Sequence, residues 1–554
     1  MSIKKYSELL TFKKNLVAWI ENLIEDKKIK SDLFVIFFSY GSAEKRCKVW
    51  EDSDQDLAKI IKRLLNFVDK VFNKDNKNLD FVKIDIAYNV EKKAWDDFLF
   101  QVKSQKHNNH LRKGISLDKN FNITFLEQEI YAKAIIKSIV FNEPNFFEEK
   151  NLNDAIKKKY PSISKNLLLS EIEYVWVFDT YAAYYENENF IQLYSQNCEN
   201  GIRFLKNKNK YHIFDLIEKN SKFLYDQIQE DGRFIYGYFP AYNREIKSYN
   251  TVRHCTALYA LLETFEVKFN NEYLSQIKKS MEYSIQHFYK EVDGKGFMID
   301  GGEDDLEVKL GSNATAIFMF AKYQEITKDS QYIKYAEKLA EGIMYMIDEN
   351  GETTHVLNYP TLDVKEKFRI IYYDGEAALG LLRLYQLNQY KPLLDTVKLM
   401  FEHFIDKKYD KYHDHWLSYC TNELTMICPE EKYFKFGIDN YLKHMKFIRE
   451  RKTAYATFLE MMMSAYKMVN RLKGTDFTTL YQSAKVEELN ELIQYRVEFQ
   501  RATGFFYPEM AMYMAKPNKI LNAFYVRHDR FRTRIDDQEH NLSGLVAYYN
   551  YFEV

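Results

Sequence analysis

The feature that most restricts this chain is an internal repeat. A turn containing Asp-Gly or Asn-Gly recurs at Asp231-Gly232-Arg233-Phe234, at Asp293-Gly294-Lys295-Gly296-Phe297 and at Asn350-Gly351-Glu352. Long apolar helices, each entered through a polar cluster, are expected to begin near Asn250-Thr251-Val252-Arg253-His254, Gly311-Ser312-Asn313-Ala314 and Asp374-Gly375-Glu376-Ala377. A second, amphipathic helix follows, as at Ser330–Ile347 and Lys391–Phe404. The period is roughly 60 residues, long for the familiar short solenoids. The third apolar helix contains AALGLLRLY, with small residues at 375, 377, 378 and 380. Such a helix packs closely on neighbours on most sides, whereas an amphipathic partner buries one stripe.

Small-residue helices inside a ring of amphipathic ones make an α/α toroid. The expected fold class is therefore mainly α: an (α/α) toroid of helical hairpins over 201–554, preceded by a small α/β domain over 1–145 and a helical connector over 146–200. A solenoid of stacked hairpins is the alternative. At 554 residues the chain exceeds one ordinary core,. In the first domain, 6–26 and 54–72 have helical spacing, while Leu33–Tyr40 (LFVIFFSY) and Phe81–Tyr88 (FVKIDIAY) read as strands,. Residues 122–141 and 171–186 are expected as helices, and strand signals fade beyond 146.

Charge is balanced, with 79 Lys and Arg against 80 Asp and Glu. Nothing pulls the molecule as a whole towards nucleic acid, so no such partner is expected and an anion site must be local. The 44 Tyr and 41 Phe suit sugar-binding clefts, and equally an AT-rich coding sequence,. The five Cys are scattered without a C-x-x-C pair, which argues against a zinc knuckle or a disulfide framework and for a reducing compartment,. The N-terminal stretch has no apolar core or small-residue cleavage site, and no apolar run approaches the roughly 18 residues of a membrane span,. A cytoplasmic location is expected.

The segments RHCTALYALLETFE, GSNATAIFMFAKYQEITKD and YYDGEAALGLLRLYQLN resemble inner helices of the six-hairpin toroid superfamily. That group includes glycoside hydrolases, polysaccharide lyases, N-acylglucosamine 2-epimerases, glucuronyl C5-epimerases and lanthionine cyclases. The resemblance covers about residues 200–554 and rests on repeat texture. It implies a ligand where the inner helices and their entry loops converge; the chemistry must come from the residues themselves.

Five constellations carry candidate chemistry. Arg253 and His254, behind Asn250, join an anion fork to a group that titrates near neutrality; the other reading is a helix cap with a local ion pair,. The acidic loop Asp300–Asp305 offers Glu303 and Asp304 as general acids or bases, or is a solvated loop,. Tyr373 and Glu376 open the third apolar helix, where a buried Glu376 would have a raised pKa,. His415 and Trp416 pair a proton carrier with a stacking platform. In the last, Arg530, Arg532 and Arg534 alternate, so an extended strand would present all three on one face,. Asp536 follows as a cap, and His540 sits on a helix expected to start near Glu539. A weaker candidate is Glu509.

The expected function is a carbohydrate-active enzyme binding an acidic or amino sugar, as epimerase, lyase or hydrolase, in glycan or cell-surface polysaccharide metabolism. Arg253, Arg530, Arg532 and Arg534 would hold an anion. His254, His415 and His540 would move protons, with Glu376, Glu303 and Asp304 as alternative acids. Asn250, Trp416, Tyr373 and Asp536 would bind substrate. The sequence specifies no cofactor and no metal set. A second reading is a non-catalytic scaffold whose charges pair off internally. A lanthionine-cyclase-like reading fails because Cys255, Cys420 and Cys428 lack the adjacent Cys-His arrangement.

Overall fold

The computed structural model describes residues 6–27, 32–75, 79–105, 111–137, 144–195, 200–205, 210–302, 305–451, 453 and 455–552. The chain divides into two compact units. Unit 1 comprises Met1–Asn207, Tyr238–Glu245 and Ala502–Thr533; unit 2 comprises Lys208–Gly237, Ile246–Arg501 and Arg534–Val554.

Unit 1 is built on an antiparallel sheet of β1 (Phe34–Gly41), β2 (Lys48–Asp54), β3 (Phe81–Ala94), β4 (Gly114–Ser116) and β5 (Thr124–Phe125). A separate two-stranded piece joins β6 (Ile136–Lys137) to β7 (Phe146–Phe147), and the sheet is completed by β8 (Tyr174–Glu186) and β9 (Asn189–Gln192). The order is β2-β1-β3-β8-β4-β5, with β9 on β8. Helices α1 (Tyr6–Asp26) and α2 (Leu57–Asp75) bury Phe12, Leu16, Ile20, Ile60, Leu64 and Val68 on one face, against Ile36, Phe38, Ile84 and Ile86. The period of two puts Ser39, Lys83 and Asp85 on the other face, fully buried,. There Lys83 Nζ lies 2.6 Å from both Asp85 oxygens, and Ser39 Oγ lies 2.7 Å from the Tyr513 hydroxyl. Short helices α3 (Trp95–Ser104), α4 (Glu127–Ala132) and α5 (Glu149–Lys159) complete the first segment.

Two sequence expectations fail here. Residues 174–186 are a strand, the long neighbour of β3, and not part of a helix. The stretch 122–137 is a strand, one short helix and another strand, because the β4–β5 and β6–β7 pairings claim its ends; 138–141 lie outside the described residues.

Unit 2 is helical. Its helices are α6 (Lys210–Tyr225), α7 (Thr251–Glu263), α8 (Asn271–Phe288), α9 (Leu310–Thr327), α10 (Ile333–Tyr345), α11 (Tyr373–Asn388) and α12 (Lys391–Asp406). They continue with α13 (His415–Ile427), α14 (Glu431–Leu442), α15 (Met445–Glu450), α16 (Thr457–Leu472), α17 (Thr478–Ser483) and α18 (Val486–Thr503), which runs just past the unit boundary. Next come α19 (Pro508–Ala511), which belongs to unit 1, and α20 (Ile535–Tyr551). Helix α7 packs on α9, α9 on α11, α11 on α13, α13 on α16, α16 on α20, and α20 back on α7. The ring closes, which a solenoid does not do. Outside it, α8 covers α7, α10 covers α9, α12 covers α11, α14 covers α13 and α16, and α6 covers α20 and α7. Helix α18 bonds to α20 through Tyr548 and Gln494, 2.7 Å apart. Unit 2 is therefore a six-hairpin (α/α) toroid. The inner helices are buried almost all round; every residue of α9 from Leu310 to Tyr323 is buried,. Strand signals return in its connecting loops, as a five-stranded antiparallel sheet within residues 289–366. No described helix is long and apolar enough to cross a membrane.

Candidate functional site

Each inner helix is returned by an outer one, so the inner helices run in one direction and their N-termini meet at one end of the toroid. The polar side chains of the inner ring concentrate there. Arg253 is the third residue of α7, Glu376 the fourth of α11, His415 the first of α13 and Glu460 the fourth of α16. Helix α20 supplies Asp536, Glu539 and His540 from its first two turns. Helix α9 contributes closeness: a Cβ on Gly311 would lie 2.1 Å from Glu376 Oε2 and 2.6 Å from the Tyr373 ring.

His540 is the hub. Its Nδ1 lies 2.9 Å from Glu460 Oε2 and 3.1 Å from Glu539 Oε1. Burial opposes a charge on this ring, but the two carboxylates outweigh it and lift its pKa well above the usual histidine value,. Burial in turn raises the Glu460 pKa, against the pull of His540. Tyr419 donates to Glu460 Oε1 at 3.2 Å and holds it in place.

His415 has the opposite character. Its ring sits edge to face with His540, centroids 5.0 Å apart. Burial, and then the His540 charge, take its pKa well below the usual value, so it is neutral. Nδ1 lies 3.3 Å from Asp414 Oδ1, and burial raises the Asp414 pKa well above the usual carboxylate range,. Nε2 is buried with no hydrogen-bond partner among the described residues. The same holds for Glu376 Oε2. Burial, then the charges of Asp414 and Glu539, raise the Glu376 pKa well above the carboxylate range. A buried polar atom without a partner needs an explanation, and a bound ligand supplies one.

At the rim, Arg253 donates from Nε to Asp536 Oδ2 at 2.8 Å and from Nη1 to the Tyr236 hydroxyl at 2.8 Å. Asp536 is shared with Arg534. His415, Glu460 and His540 each offer an atom within 4.8 Å of the others, so the set could hold one divalent ion through two imidazoles and a carboxylate,.

The structure thus brings together Arg253, Glu376, His415, His540, Arg534 and Asp536, with Trp416 and Tyr373 packed among them. Trp416 is buried under the histidines and against Phe318, so it is a floor and not an exposed stacking platform. Asn250 caps α7 by accepting from Arg253 N–H. His254 is a correction: it is fully buried, with Nδ1 2.8 Å from the Tyr249 hydroxyl and Nε2 3.1 Å from the Ser280 carbonyl, so neither nitrogen is available for proton transfer. The arginine row is another. Arg530 and Phe531 have positive φ, the segment is a turn, and Arg530 and Arg532 both close on Asp529 within unit 1. Glu509, also in unit 1, is bound by Arg203 at 2.9 Å. Glu303 and Asp304 lie outside the described residues; beside them Asp300 and Asp305 pair with Lys309 and Lys365. Sequence reasoning missed Glu460, whose only signal is a lone acid on the apolar face of TFLEMMMSAYKM.

No family model and no curated protein sequence matches this chain. It is similar to a solved D-mannose isomerase, at 14% identity and TM-score 0.47 over 63% of this chain and 100% of that one. It is also similar to the cellobiose 2-epimerase of Bacillus thermoamylovorans, at 12% identity and TM-score 0.46 over 62% and 100%. A third similar structure is an unsaturated glucuronyl hydrolase specific for heparin, at 10% identity and TM-score 0.43 over 62% and 98%.

Proposed function

We propose that unit 2 is a carbohydrate-active enzyme that moves protons on a sugar, as an epimerase or isomerase. The observation that carries this is two imidazole rings with centroids 5.0 Å apart in opposite settings: His540 between Glu460 and Glu539, which favour its charge, and His415, whose Nε2 is buried and unpartnered. His415 takes a proton from the carbon beside a sugar carbonyl, and His540 gives one to the carbonyl oxygen. The enediol then takes a proton on the same carbon from the opposite face, which gives the epimer, or on the former carbonyl carbon while the neighbouring hydroxyl loses its proton, which gives the isomer. A scaffold with self-satisfied charges would not leave Nε2 of His415 and Oε2 of Glu376 unpaired.

Arg253 and Arg534 share the single carboxylate of Asp536, which leaves one positive charge at the rim, so acidic and amino sugars are the ligand classes to test. The test is incubation with aldoses, ketoses, amino sugars and uronic acids in deuterium oxide, followed by NMR. Deuterium at the carbon beside the carbonyl, lost in His415→Asn, supports the reading. Release of reducing ends or of unsaturated sugar without exchange would replace it with hydrolysis or elimination. Running each reaction with and without a chelator separates imidazole proton transfer from a metal held by the same three side chains.

A further inference from the structure

Unit 1 contains a cavity of about 740 Å³ at the end of the sheet where β3 begins and β8 finishes. That size is within the range of small-molecule sites, about 300–1,000 Å³. Its floor is apolar, with Phe81, Val82 and Leu521, and its rim is acidic, with Asp80, Glu186 and Glu188. None of its lining residues is Lys, Arg or His. Arg203 accounts for one carboxylate by pairing with Glu186 at 2.8 Å. Asp80 Oδ2 accepts from the Ala43 N–H at 2.8 Å.

A second observation points to a ligand. Tyr184 lines the cavity and is only 4% exposed, yet its hydroxyl bonds to no described residue. The Arg203 guanidinium lies 5.8 Å from its ring, and the hydroxyl itself is open to the cavity,. Here the hydroxyl is at a cavity wall beside carboxylates, which is what an ammonium group needs: charge at the rim, an oxygen acceptor below, and an apolar surface for the stem. The acids are spread along the rim and do not form one of the metal-spaced groups found among the described residues.

We propose that this cavity binds a small organic amine carried on an aliphatic stem, of the polyamine class, independently of the chemistry in unit 2. The full-length protein is titrated with spermidine by calorimetry, alongside 1,8-octanediol as a neutral stem and magnesium as a bare cation. Spermidine is expected to bind at least tenfold more tightly than either. Glu188→Gln, on an exposed turn where folding is indifferent to it, should weaken binding about tenfold. Tyr184→Phe, which keeps the ring, should weaken it several-fold. Spermidine binding no tighter than magnesium, or unaffected by both substitutions, or absent at millimolar concentration, overturns the proposal. Unchanged melting of the two variants shows that a loss comes from the site and not from misfolding.

Discussion

At the scale of single residues, two histidines separate support from chemistry. His254 is buried with both nitrogens engaged, and burial lowers its pKa to about 4. The unfolded chain binds a proton near pH 6.5 and the folded state does not. Between those values the unfolded state holds more protons, so stability falls as pH drops, by about 1.4 kcal/mol per unit from this group. Urea unfolding of the wild type and of His254→Gln between pH 7 and 4 should differ in slope by about that amount; equal slopes would refute the assignment. His540 behaves otherwise. His540→Asn and Glu460→Gln should cut turnover at least about 100-fold, the usual worth of a general acid or base, while far-UV dichroism stays native. His415 and His540 are visible in the sequence as histidines beside helix starts. Glu460 is not, because one acid in a methionine-rich helix acquires meaning only when α16 is laid beside α20.

At the scale of elements, the inner helices were legible because their small residues have a packing consequence. Gly311 shows how tight it is, with Glu376 and Tyr373 where a methyl would go. Gly311→Ala should destabilise by about 1–3 kcal/mol, as overpacking does, and should lower activity by displacing Glu376. Gly544→Ala meets only the Leu459 side chain at 3.1 Å and should cost less. Thermal melting of the pair decides it. The strand β8 was misread because it lies between β3 and β4 in the sheet and is largely buried, so the alternation that marks a half-exposed strand is blurred. Its Val175, Val177, Thr180 and aromatics were the better guide, as residues that fit a pleated surface.

At the scale of the molecule, unit 1 is assembled from three separate stretches of chain. Ser39 meets Tyr513, Arg203 meets Glu509, and Glu127 meets Arg527, each pair within unit 1. A fragment ending at residue 207 lacks all three partners. It should bind a hydrophobic dye and melt without a cooperative transition, while the full chain melts cooperatively; a sharply melting fragment would show that the late segments are dispensable.

That division bears on the order of synthesis. The strands of unit 1 leave the ribosome early, but the residues that close over Lys83 and Asp85 follow only after α16 and α18 have been made. The toroid has the same delay, since α20 is the helix that joins α16 to α7. For most of translation the nascent chain holds two open, apolar surfaces at once, and both are sealed by the stretch beyond residue 501. Such a protein has reason to depend on chaperones during its own manufacture, whatever its stability once finished.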